Sequence, residues 1–192
     1  MTATTPTTQG ILKAAKVLEN VIETTPLKLN EHLSEEFGAK IYLKREDLQV
    51  VRSYKIRGAY NFMSQLNSAQ KKLGVVCASA GNHAQGFAMS CSLLKIKGVV
   101  FMPVTTPKQK ITAVERLGKK YVEIILFGDT YDDAKSAALK YVQKENKIFV
   151  PPFDHKLIIE GQGTVAAEIL EQISKKKIDY VFVPIGGGGL AA

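Results

Sequence analysis

Short apolar runs alternate with stretches of helical period along this chain, and that alternation constrains the fold more than any other feature. Gly74-Val-Val-Cys-Ala78 and Val99-Val-Phe-Met102 are apolar throughout, as strands covered by helices on both faces are. Strands are predicted at Lys40–Lys44, Gly74–Ala78, Gly98–Met102, Tyr121–Phe127, Ile148–Val150 and Asp179–Ile185. Helices are predicted at 11–23, from after Asn30 to before Gly38, and at Ser53–Leu66 and Asn82–Leu94. Further helices are predicted at Pro107–Leu117, with Thr106 as cap, and at Thr130–Glu145 and Gly163–Ile173. The expected class is α/β, with open, mostly parallel sheets and flanking helices. Ligands of such sheets bind beyond the carboxyl ends of the strands.

Composition excludes more than it selects. At 192 residues, with 45% apolar and 23% charged residues, the chain can bury a sizeable core. No apolar run approaches the ~20 residues that span a bilayer. Residues 1–10 lack the basic start and apolar centre of a secretory signal and read as a short disordered tail. The net charge of +8 comes from basic residues scattered over helix faces. The densest run, Lys175-Lys176-Lys177, falls at a predicted helix C-terminus, where cations complement the dipole. With no nucleic-acid-binding motif and no tryptophan, this is read as a solvated basic surface that can also attract small anions. Cys77 and Cys91 fall in a predicted strand and helix, as buried thiols of a reducing compartment do, and a cytoplasmic location is expected.

Three motifs lie in strand-to-helix loops. In the first, Leu43-Lys-Arg-Glu-Asp47 and Ser53-Tyr-Lys-Ile-Arg-Gly-Ala59, Lys55 falls in the first turn of a helix with Ser53 as candidate N-cap. The helix dipole and desolvation in a loop-edge cleft both disfavour the ammonium, leaving an amine able to attack a carbonyl. The ordinary alternative is one more surface lysine. The second, Ser79-Ala80-Gly81-Asn82-His83, puts small residues at a helix N-terminus, where open N–H groups can hold a carboxylate or phosphate. Asn82 could equally be a plain helix cap, and His83 is read as first-turn packing. The third, Gly186-Gly187-Gly188-Gly189, follows the strongest strand, and consecutive glycines let N–H groups converge on a phosphate. It is neither a dinucleotide-binding Gly-x-Gly-x-x-Gly nor a Walker A loop. Gly161-Gln162-Gly163-Thr164 is read as a tight helix entry supporting the site. A lysine amine, a polar turn and a glycine cradle together suit an aldehyde cofactor bearing a phosphate, pyridoxal 5′-phosphate (PLP).

In combination and order these motifs resemble the fold-type-II PLP enzymes, the tryptophan synthase β-like group, and within it the biosynthetic threonine dehydratases. The resemblance runs from about residue 10 to the end and also rests on Phe101-Met-Pro103, Pro151-Pro-Phe-Asp-His155 and Gly161–Thr164. It implies that Lys55 carries PLP in a Schiff base and that Asn82 bonds the cofactor's 3′-oxygen. It also implies that Gly186–Gly189 hold the phosphate and that Ser79–His83 grip the substrate carboxylate. The implied reaction is deamination of L-threonine to 2-oxobutanoate and ammonia, the entry to isoleucine synthesis. Lys55 would remove the α-proton and the β-hydroxyl would leave as water. L-Serine is an expected second substrate, because a methyl-sized pocket discriminates weakly. The resemblance assigns 11–45 and 148–192 to a larger domain and 46–147 to a smaller one, and it implies a homo-oligomer.

Tyr54 departs from the phenylalanine usual in the group, adding a hydroxyl that needs a partner. The sequence stops at Ala192, just past the glycine loop, where the group's catalytic unit continues, so an incomplete larger domain is expected. A non-catalytic fragment or pseudoenzyme, a serine dehydratase or racemase, and a nucleotide-binding α/β module are the competing readings.

Overall fold

The computed structural model describes residues 5–174 and 176–192. Helix α1 (Thr8–Leu18) is followed by β1 (Leu27–Leu29), α2 (Glu31–Phe37) and β2 (Tyr42–Lys44). Then come α3 (Lys55–Ser64), α4 (Ser68–Leu73), β3 (Val75–Ala78), α5 (Asn82–Leu94) and β4 (Gly98–Met102). Helix α6 (Lys108–Gly118), β5 (Val122–Leu126), α7 (Tyr131–Lys144), β6 (Ile148–Phe149) and α8 (Lys156–Gln172) complete the order.

Strands β3 to β6 form a parallel sheet in the order β5-β4-β3-β6, and β1 and β2 form an antiparallel pair. The period-2 alternation of strands explains the unbroken apolar runs. Val75, Cys77, Val100 and Met102 face one core with Phe62, Ala84, Phe87 and Val114. Val76, Ala78, Val99 and Phe101 face a second core under Ala134 and Ala138 of α7. Helix sits on both faces, so no strand residue of β3 or β4 can be polar. Both cysteines are buried, and burial pushes both thiols up, away from the reactive thiolate.

Chain order moves from β3 out to β4 and β5, then returns to the other side of β3 with β6. The loops after β3 and β6 therefore lie side by side at the carboxyl edge, at the reversal in strand order where open sheets bind ligands.

The structure corrects several expectations. Residues 1–4 of the proposed tail lie outside the described residues, but Thr8–Gly10 are helical. Thr7 caps α1 by accepting from the Gly10 N–H, and its own N–H donates to Glu160 Oε1 at 3.2 Å, which ties the segment to α8. Helix α1 also ends at Leu18, before Asn20 at φ 61°. Thr106 does not cap α6; its hydroxyl donates to the Pro103 carbonyl and Pro107 is the cap. Residues 179–185 form no strand: Tyr180, Phe182 and Ile185 are exposed, and no described strand offers them a ladder. High β-propensity without a partner edge does not make a strand. Helix α8 starts at Lys156, so Gly161 and Gly163 are helix interior and form no entry turn. The short β1 and α4 have no counterpart in the sequence reading.

Candidate active site

Lys55 is the first residue of α3, with Tyr54 as cap. Ser53 is not the cap, contrary to expectation: its hydroxyl is buried and, among the described residues, has no hydrogen-bond partner. The Lys55 side chain is half-buried, and its Nζ donates to the Pro152 carbonyl at 2.9 Å. Burial lowers its pKa below that of an ordinary lysine. The Tyr54 ring, with its centroid 5.3 Å from Nζ, favours the charged form and opposes that effect. The result is an ammonium held in place on one carbonyl and more easily deprotonated than its surface counterparts.

The loop after β3 reaches the same place. Ser79 Oγ accepts from the Gly81 N–H at 3.2 Å, which fixes the turn before α5. Asn82 is the first residue of α5; Gly81 takes the cap position and the Asn82 side chain is exposed, so Asn82 is not spent as a cap. Ala80 and Gly81 are half-buried, and a side chain at Gly81 would meet open space. Gly86, one turn further along α5, packs against the backbone of Lys55 and Ile56, where a Cβ would come within 2.9 Å of the Ile56 nitrogen. This close approach brings the N-termini of α3 and α5 to one point.

His83 is buried, with Nε2 at 3.1 Å from the Val150 carbonyl. Desolvation lowers its pKa to about 4, with the nearby Lys55 charge pushing the same way. His83 is therefore neutral at pH 7 and donates Nε2–H to Val150, in keeping with the packing role read from sequence. Its unfolded counterpart takes up a proton near pH 6.5, whereas the folded one does so only near pH 4. Stability should therefore be complete above pH ~6.5 and fall as pH drops from there toward 4, by about 3 kcal/mol from this group alone. Urea unfolding at pH 7.5 and pH 4.5 should show this loss, and His83→Gln should remove most of it while still donating to Val150.

Residues 150–153, which follow β6, join these parts. Val150 accepts from His83, Pro152 accepts from Lys55, and Phe153 lies under the glycine loop. A Cβ at Gly187 would stand 2.3 Å from the Phe153 ring, and one at Gly189 would stand 2.8 Å from the Phe153 oxygen. Gly188 has φ +84°, and Gly186 and Gly188 face open space. Gly188 O accepts from Ala191 and Ala192, whereas the N–H groups of Gly186–Gly189 donate to no backbone carbonyl among the described residues. The loop is thus a run of open donors whose side-chain positions are filled by Phe153 or left clear. The sequence reading gave Pro151–Phe153 no role in the site, although the resemblance rests in part on Pro151–His155. These features fit a phosphate-bearing aldehyde: a half-buried amine, an orphaned buried hydroxyl two residues before it, and a glycine cradle with free N–H groups.

The pyridoxal-phosphate dependent enzyme family matches this chain over residues 18–192. A biosynthetic L-threonine dehydratase of Bacillus subtilis is 53% identical over 180 residues, which cover 94% of this chain and 42% of that protein. Threonine deaminase isoform 2 of Solanum lycopersicum superposes with TM-score 0.86 at 40% identity, covering 97% of this chain and 55% of that one. Maize serine racemase superposes with TM-score 0.90 at 30% identity, again over 97% of this chain and 55% of that one. The chain thus spans about half the length of the relatives it matches or less. With nearly all of its length matched, and a site built around one half-buried lysine and a glycine loop, this chain belongs to the pyridoxal-phosphate dependent enzymes.

Proposed function

We propose that this chain carries the lysine and phosphate cradle of a PLP-dependent L-threonine dehydratase, forming 2-oxobutanoate and ammonia, with L-serine as second substrate. The observation that carries this reading is the Lys55 amine, half-buried on Pro152 and one residue from the aromatic floor of the glycine loop. Bound PLP would supply the electron sink for carbanion chemistry. The chain's own residues do the rest. Lys55 would hold the cofactor's aldehyde carbon, and its Nζ is the group that would take the substrate α-proton. Gly186–Gly189 present N–H groups to the phosphate, and Asn82, unspent as a cap, is available to the ring oxygen. Ser79–His83 offer the α5 N-terminus to the substrate carboxylate. His83, neutral and committed to Val150, orients without moving a proton. The dehydratase reading is favoured over a racemase by the higher identity to the bacterial dehydratase.

On this reading residues 11–45 and 148–192 belong to a larger domain, 46–147 form a smaller one, and the protein works as a homo-oligomer in the cytoplasm, without nucleic acid as partner. Among the described residues no helix is long and apolar enough to cross a membrane. Incubation with PLP, borohydride reduction and peptide mapping test the central assignment. Pyridoxyl confined to Lys55 is the expected result; label spread evenly over the surface lysines would sink it.

A further inference from the structure

Two residues beyond Lys55, Arg57 is the largest fully buried side chain of the molecule. All five of its N–H groups are satisfied. Nε and Nη2 donate to the two oxygens of Glu46 at 2.8 and 2.7 Å, a bidentate fork. Nη1 and Nη2 donate to the two oxygens of Glu168 at 2.6 and 3.0 Å, and Nη1 also donates to Thr164 Oγ1 at 3.0 Å. Glu168 in turn accepts from Lys44, whose Nζ also donates to Gln172 Oε1 and the Thr25 carbonyl. Glu46 accepts from the Thr25 hydroxyl. Two cations and two anions close a nearly neutral, nearly dry network between β2, the turn after it, α3 and α8.

The network does more than hold helices together, because of where Lys55 lies. Residues two apart on a helix point roughly 200° away from each other. Arg57 is locked into α8 on one side, so Lys55 is aimed away from it toward the loops after β3 and β6. Five directed bonds fix the rotation of α3 about its axis, whereas apolar packing alone tolerates small rotations. Chemistry tolerates them poorly: a reacting atom needs placement within about 0.5 Å, and ~1 Å of error can cost about a hundredfold in rate. We infer that Arg57, clamped by Glu46 and Glu168, is a positioning residue that aims the Lys55 amine. The requirement is for a planar fork with five donors, which lysine cannot reproduce. This inference rests on Lys55 being the reactive amine, but it can be tested without the cofactor.

The experiment is competitive acetylation of the 192-residue chain across pH, read lysine by lysine by mass spectrometry. Wild-type Lys55 should titrate below the surface lysines. In Arg57→Lys, with folding verified by a cooperative melt, Lys55 should move toward surface behaviour, and pyridoxyl capture at Lys55 should fall about tenfold or more. Glu168→Gln should move both readouts the same way by a smaller factor, and it stands in if Arg57→Lys does not fold. Glu160→Gln, also on α8 but outside the network, is the control and should leave both unchanged. A folded Arg57→Lys or Glu168→Gln chain with Lys55 titration and capture as in wild type overturns the inference. Should the wild type fail to capture PLP at Lys55, the cofactor reading fails, while the acetylation profiles still decide the positioning role.

Discussion

Lys55→Ala should abolish borohydride-stable pyridoxyl at the site while leaving the fold in place. The side chain is only half-buried and makes one hydrogen bond, to Pro152, so its loss should cost about 1 kcal/mol of stability. Its chemistry is not replaceable in the same way, because the carbon–nitrogen bond to an aldehyde needs a neutral amine, and burial makes this amine easier to deprotonate than others. Without it, only phosphate and packing contacts remain, and affinity for PLP should weaken by about a hundredfold, or ~2.7 kcal/mol. Lys55→Arg separates charge from chemistry. It keeps a cation facing Pro152 and the Tyr54 ring, but cannot form the bond, and should behave as Lys55→Ala does. Absorbance of the imine and dialysis against free PLP measure both effects. Formation of 2-oxobutanoate from L-threonine, wherever the wild-type protein shows it, should drop to background. Undiminished imine formation in Lys55→Ala would move the reactive amine elsewhere in the chain.

The fold was legible where one local signal decides it. Wholly apolar runs marked β3 and β4, and strong caps marked α2, between Asn30 and Gly38. Elsewhere local signals competed with tertiary ones and lost. Gly161 and Gly163 looked like the start of a helix because glycine is a poor helix former, yet α8 runs straight through them. Ser53 has a good capping side chain, but the chain turns so that Tyr54 takes the cap and the Ser53 hydroxyl is left buried. Tyr180–Ile185 has strong strand propensity, but propensity cannot report whether a neighbouring edge exists. The site shows the same division. Lys55 and the glycine loop stand out by residue type and order. The Arg57 network does not, because it joins residues up to 128 positions apart, and no spacing rule reaches that far. The role of the Val150–Phe153 strip was not legible, because its contribution is mostly backbone carbonyls, which any side chain would supply.

Gly161→Ala should be among the most destabilising single-methyl changes available to this chain. At the crossing of α3 and α8 the two backbones touch. A Cβ on Gly161 would lie 2.6 Å from Gly58 Cα, 2.7 Å from the Arg57 oxygen and 2.9 Å from the Arg57 carbonyl carbon. The reverse substitution fares no better: a Cβ on Gly58 would lie 2.7 Å from the Ile158 oxygen. The atoms facing Gly161 are all backbone, so relief there requires the helices to part. Parting them strains the Gly58 N–H bond to Gln162 and the Arg57 bonds to Thr164 and Glu168. Against this, alanine is favoured over glycine inside a helix by about 1 kcal/mol. Overpacking of a tight core costs about 1–3 kcal/mol, and more where the backbone must move and buried bonds are stretched, so the net loss should be on the order of 3 kcal/mol. Two other glycines calibrate the result. Gly81→Ala meets open space and should change stability by less than about 0.5 kcal/mol. Gly38→Ala is exposed at φ +60° and should cost about 1 kcal/mol from backbone strain alone. Urea unfolding should thus show the midpoint falling most for Gly161→Ala, with the slope unchanged. A neutral or stabilised Gly161→Ala would mean that the helices do not meet backbone to backbone. Because α3 carries Lys55 at its first residue, the same variant should also lose pyridoxyl capture, linking helix spacing directly to the chemistry of the amine.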